Sequence, residues 1–165
     1  MPSQRNTIAK TGSASIILNK SPVKKSRTVA AKEIKYEDKS TGQPDLVEIF
    51  DRLKILLKAY VKGNIKVQEG TSGMYNLIST NQVELLGKIR ELFFASLIIQ
   101  KGYVSFYFFP VYTNPELLKE LRPELIKCLK GKSCFHIRKN DHILMEQVKQ
   151  ALETGYKLYL EKGYL

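Results

Sequence analysis

The chain is poor in the residues that staple or cross-link small proteins. Two cysteines and two histidines in 165 residues are too few for a disulfide framework or a repeated zinc array. No apolar run approaches the roughly 20 residues that span a bilayer, so no membrane segment is expected. No acid precedes Glu33, and residues 1–44 contain no Phe and a single Tyr. Such a stretch cannot bury enough apolar surface to offset its ordering entropy. It reads as a disordered basic arm, with nine Lys or Arg against Glu33, Glu37 and Asp38, and with Ile16–Leu18 as its one sticky spot. A secretory signal needs an apolar region of roughly 7–15 residues. Ala14–Leu18 is too short, and a cytoplasmic location is expected. The same acid-free, Ser/Thr-rich start also suits an organelle transit peptide or a nucleic-acid-binding arm.

What is present is a net charge of +11 and 43% hydrophobic residues. A length of 165 residues fits one domain, with enough chain to bury a core without staples. Residues 45–165 are expected to form it. Asp45, with Glu48 three residues on, has the form of a capping box. Leu46, Ile49, Phe50, Leu53, Leu56, Leu57, Tyr60 and Val61 then recur at helical spacing over about 18 residues, ending before Gly63. Alternation at Ile65–Glu69 and at Met74–Ile78 predicts strands, with a further short one at Gln82–Leu86. The apolar runs Leu92–Ile99 and Tyr103–Phe109 flank Lys101-Gly102 as a β-hairpin. Helical spacing at Leu85, Leu86, Ile89, Leu92 and Phe93 leaves a helix open over Val83–Ile99. The β-branched and aromatic content toward Phe109 favours strands. Asn114-Pro115-Glu116 and Arg122-Pro123-Glu124 each open a short helix, the second closing at Gly131. Ser133–Lys139 alternates as a strand, and Asp141 opens a last helix in which Gly155 marks close packing. The expected fold is α+β: a two-layer sandwich with an antiparallel sheet of about five strands flanked by N- and C-terminal helices.

No catalytic constellation stands out, and the residues name no cofactor. Gly131-Lys132-Ser133 has the ending of a phosphate loop, but Ile126 stands where its first glycine belongs, and the loop runs from helix to strand. Glu116, Glu120 and Glu124 are spaced by four, but the break at Arg122-Pro123 disrupts the shared face, which reads as solvated. Cys128, Cys134, His136 and His142 are residue types that zinc uses, without the two-residue knuckle. Cys128 belongs to the apolar side of Leu125 and Leu129. Cys134 and His136 are the weak metal candidates. Lys130, Lys132 and Arg138 stand near Cys134 and would lower its thiol pKa.

The aromatic strand is the most informative stretch. Val104, Phe106 and Phe108 share one face, and Tyr103, Ser105, Tyr107 and Phe109 the other. If helices cover the first set, the second set, joined by Tyr75, faces water, a ligand or another subunit. Aromatics amid positive charge can stack bases, line a small-molecule cleft or form a homodimer interface through the sheet face. They can also be covered by the chain itself. The expected ligand- or partner-binding residues are Tyr75, Tyr103, Tyr107, Lys132, Ser133 and Phe135. Nucleic acid association through the arm and Lys130, Lys132, Arg138 and Lys139 is the rival reading.

Tyr103-Val-Ser-Phe-Tyr-Phe-Phe-Pro-Val-Tyr, Pro115-Glu-Leu, Leu129-Lys-Gly-Lys-Ser-Cys-Phe-His-Ile and the closing Tyr159-Leu-Glu-Lys-Gly together resemble the YdhG-like family of domains of unknown function. The resemblance covers residues 45–165. It implies a helix-flanked antiparallel sheet. Some relatives are called frataxin-like iron chaperones, which makes iron handling a further alternative. No iron-ligand motif matches residue by residue, and a basic domain lacks the carboxylates that hard iron sites favour.

Overall fold

Proline and apolar spacing set where the first helix forms. The computed structural model describes residues 36–69, 72–85 and 87–165. Helix α1 runs Pro44–Lys58 with proline in its first turn, where a missing N–H costs nothing. Asp45 is therefore inside the helix and not its cap. The cap position is Gln43, which makes no side-chain capping bond. Glu48 does not reach back to the cap but accepts from Asn140 at 2.7 Å. The helix is also three residues shorter than its apolar spacing suggests, because Tyr60 and Val61 close turns onto Leu57 and Lys58.

Among the described residues eight strands follow: β1 (Ile65–Glu69), β2 (Met74–Ser79), β3 (Val83–Leu85), β4 (Lys88–Arg90), β5 (Phe93–Gln100), β6 (Tyr103–Phe108), β7 (Leu129–Lys130) and β8 (Cys134–Ile137). Six form one sheet in the order β1-β2-β5-β6-β8-β7, and every pairing is antiparallel. The expected sheet is present with one more strand than anticipated. Val83–Ile99 is not helical. Gly87, at φ +71, lies between β3 and β4, a separate two-stranded ribbon.

After β6, Pro110 opens the short helix α2 (Pro110–Thr113). Pro115 opens a 3-10 turn, Pro115–Lys119, in which Asn114 makes no capping bond. Helix α3 spans Pro123–Lys127. It ends before Gly131, which instead makes the β7–β8 turn at φ +77. Helix α4 runs His142–Glu161, capped as expected by the Asp141 carboxylate, which accepts from Leu144 N–H at 2.9 Å.

The two long helices pack on one face of the sheet. Leu46, Ile49, Leu53 and Leu57 of α1, and Val148, Leu152 and Tyr159 of α4, share one core with Leu77, Leu97, Val104, Phe106, Phe108 and Ile137. Phe94 centres an aromatic cluster with Tyr60, Phe108, Tyr156 and Tyr159. A register shift between Leu77 and Ile78 opposite Phe93–Ala95 accompanies it, and both Phe94 and Ala95 are buried.

The expected disorder of the basic arm lies, for residues 1–35, outside the described residues. Residues 36–43 are held at the β5–β6 turn. The Tyr36 hydroxyl donates to Ile99 O at 2.6 Å. Gln43 donates to Gln100 O and accepts from Gly102 N–H at 2.7 Å, and Lys39 donates to the Gln100 side chain. The compact unit holding the sheet thus starts ahead of Asp45 and includes the described residues from Tyr36 onward.

Candidate functional site

Antiparallel register decides which side chains share a face, since directly paired residues project to the same side. Tyr75 pairs with Leu97, Leu97 with Phe106 and Phe106 with Phe135. That row faces the helices. Tyr75 and Phe135, expected at the ligand face, are therefore core residues, 2% and 0% exposed. Burial of large rings between sheet and helices removes them from any surface site.

The opposite face carries a different chemistry. Gln68, Asn76, Ser96, Tyr107, Cys134 and Lys130 form one continuous cross-strand row. Met74, Ile98, Ser105 and His136 form the next. None of them belongs to the helix-backed core. Two expected residues, Tyr103 and Tyr107, lie here, both half-buried. Lys132 and Ser133 stand in the β7–β8 turn at one end of the face, where Ser133 O accepts from Phe108 N–H at 2.9 Å.

Tyr103 is the most heavily contacted ring on this face. The His136 imidazole stacks on it with centroids 3.9 Å apart and planes at 15°. The Arg138 guanidinium lies 5.3 Å from the same centroid, a cation–π contact of about 0.5–1 kcal/mol where solvent is near. Partial burial holds His136 below its ordinary pKa, and the charges of Arg138 and Lys130 push it further down. The ring that stacks on Tyr103 is thus neutral at neutral pH.

Tyr107, Ser105 and Cys134 share side-chain hydrogen bonds. Burial raises the Tyr107 hydroxyl, and Cys134 adds to the shift. The Cys134 thiol is also raised, first by burial, with the Ser105 and Tyr107 bonds opposing. This overturns the expectation of an activated thiol: the cations nearby in sequence do not lower it. Cys128 is raised by burial too and donates to Glu124 O at 3.5 Å. Among the described residues no three or more His, Cys, Asp or Glu gather into a metal site. Cys134 and His136 sit two apart on one strand without a third ligand.

Sequence reasoning missed Asn76 and Ser96, buried polar residues that hydrogen-bond to each other at 2.5 Å. Their signal was present: each is a polar residue flanked by apolar ones inside its strand. Among the described residues, no helix is long and apolar enough to cross a membrane. Comparison with protein-family models, with curated proteins and with solved structures found no match.

Proposed function

We propose that the chain is a non-enzymatic, cytoplasmic binding domain of YdhG-like type that takes a planar, negatively charged small ligand or partner on the sheet face opposite α1 and α4. One observation carries this reading: Tyr103, His136 and Arg138 form a stacked aromatic and cationic group beside Tyr107, away from the core. A ring surface next to a guanidinium suits a flat anion, which gains stacking and charge together. Raised thiol and phenol groups suit hydrogen bonding rather than nucleophilic attack.

The test uses adenosine monophosphate, a planar base joined to a phosphate, followed by amide shifts of the full chain. Shifts on β6 and β8 that weaken at least fivefold in Tyr107→Ala, with an unchanged circular dichroism spectrum, are the expected result. Shifts that ignore the substitution count against the reading. Sedimentation of the same samples separates self-association through this face from ligand binding.

The cluster Lys130, Lys132, Arg138 and Lys139 favours a second reading. All four are exposed and occupy β7, the β7–β8 turn and the segment just after β8, beside the tyrosine face. Single-stranded nucleic acid combines bases to stack with phosphates to neutralise.

A further inference from the structure

Where β6 leaves the sheet, Pro110 and Pro115 turn the chain twice within a few residues. The double turn leaves a groove of about 560 Å³, inside the range of small-molecule sites. Leu85 of the β3–β4 ribbon, Val111 and Tyr112 of α2, Pro115 and Leu118 line it, and Lys132 of the β7–β8 turn stands at its rim. Leu85 and Leu118 are only half-buried, and Tyr112 is 45% exposed.

The polar groups are arranged one-sidedly. Besides Lys132 the lining holds the Tyr112 phenol and Thr113, and the Thr113 hydroxyl already meets the Phe109 and Pro110 carbonyls, at 3.4 and 3.2 Å. No carboxylate lines the groove. Two acids adjoin the lining in sequence: Glu84, which precedes Leu85 on β3 and so projects to the other side of that strand, and Glu116, which pairs with Lys119. Lys132 has no ion-pair partner among the described residues, and its ammonium lies 6.0 Å from the Tyr112 ring centre. An apolar trough with one uncompensated cation at its edge is complementary to a molecule with an apolar body and one anionic head.

We propose that this groove binds a small amphiphilic anion, its hydrocarbon part on Leu85, Val111, Pro115 and Leu118 and its head on Lys132. The groove meets the end of the tyrosine face at Lys132 but uses none of Tyr103, Tyr107, His136 or Arg138, so it stands or falls independently of a ligand stacked on those residues. Apolar burial makes affinity grow with chain length, by roughly fourfold for each added methylene. A lysine head contact is a point charge without geometric demand, so it selects charge and not the shape of the head.

The test titrates hexanoate, octanoate and octanol into the full chain and follows amide shifts. Hexanoate and octanoate are expected to shift Val111–Thr113 and Gly131–Lys132, with octanoate tighter by roughly fifteenfold for its two extra methylenes. Lys132→Gln is expected to weaken octanoate by about tenfold, the loss of one charge-assisted contact, and to leave octanol unchanged. Lys132 is exposed, so the variant keeps its fold. Octanol binding as tightly as octanoate to the unaltered chain overturns the proposal. So does a Lys132→Gln variant with unaltered octanoate affinity, or a set of shifts that avoids the groove.

Discussion

Cys134 shows how a single group is set by what surrounds it. Sequence neighbours would make it a reactive thiolate, but burial outweighs distant charge and keeps the proton on. Its thiolate therefore forms at higher pH than that of an ordinary cysteine. Iodoacetamide should label it more slowly than a free cysteine peptide at pH 7, and the rate should climb only at more alkaline pH. Equal or faster labelling would contradict the environment described. Gly155 is set by packing in the same way. A Cβ there would collide with the Phe108 ring and come within 2.9 Å of Pro110 Cγ. Ala gains about 1 kcal/mol of helix propensity over Gly, whereas overpacking a core costs about 1–3 kcal/mol. Phe108 is fully buried, so its ring cannot swing aside and the steric loss prevails. Gly155→Ala should lower Tm by several degrees in a thermal melt; an unchanged or higher Tm would show that the ring yields. The glycine's role was readable from sequence, since a helix interior tolerates it only for a reason. Its partners were not, because Phe108 lies far away along the chain.

At the level of elements, local signals succeeded where the chain satisfies its own backbone. Asp141 is the clear case: the side chain that marks the start of α4 in the sequence is the one that caps it. Asp141→Ala should destabilise the domain by about 0.5–2 kcal/mol, measured as a lower denaturation midpoint at unchanged slope; no shift would mean that the helix start is held by packing alone. Asp45 carries a similar signal and fails, because Pro44 already begins the helix and moves the cap back two residues, to Gln43. Both prolines of the 110–119 segment were legible as punctuation, but not the groove between them. That space depends on Leu85 and Lys132, which arrive from other elements. The same limit explains Tyr75 and Phe135. Alternation within one strand assigns its two faces, but which face of β2 matches which face of β6 depends on pairing across β5. A one-residue change of register would exchange them. Tyr103 and Tyr107 were placed correctly because both lie on a single strand.

The whole molecule carries +11, and a polyanion will feel that field whatever its sequence. If nucleic acid lies across the β7 end of the sheet, four cations, Lys130, Lys132, Arg138 and Lys139, meet phosphates. Affinity for a single-stranded oligonucleotide should then fall with salt at a logarithmic slope of about −3. Anisotropy between about 50 and 200 mM salt reads this directly. Changing all four to Gln should flatten the slope; if it stays as steep, cations elsewhere hold the nucleic acid and the edge is not its site. The α+β class and the order of the longer elements were visible in the hydrophobic periods and their punctuation, whereas the short β4, α2 and β7 were not. The face opposite the long helices became visible only when α1 and α4 were found on the same side of the sheet. Those two helices also bear on how the protein is made. One emerges from the ribosome ahead of every strand and the other after all of them, and translation at roughly 5–20 residues per second separates them by several seconds. Until the later helix is released, Leu77, Leu97 and Phe106 lack half of their cover, which makes the nascent chain a client for a holding chaperone throughout that interval.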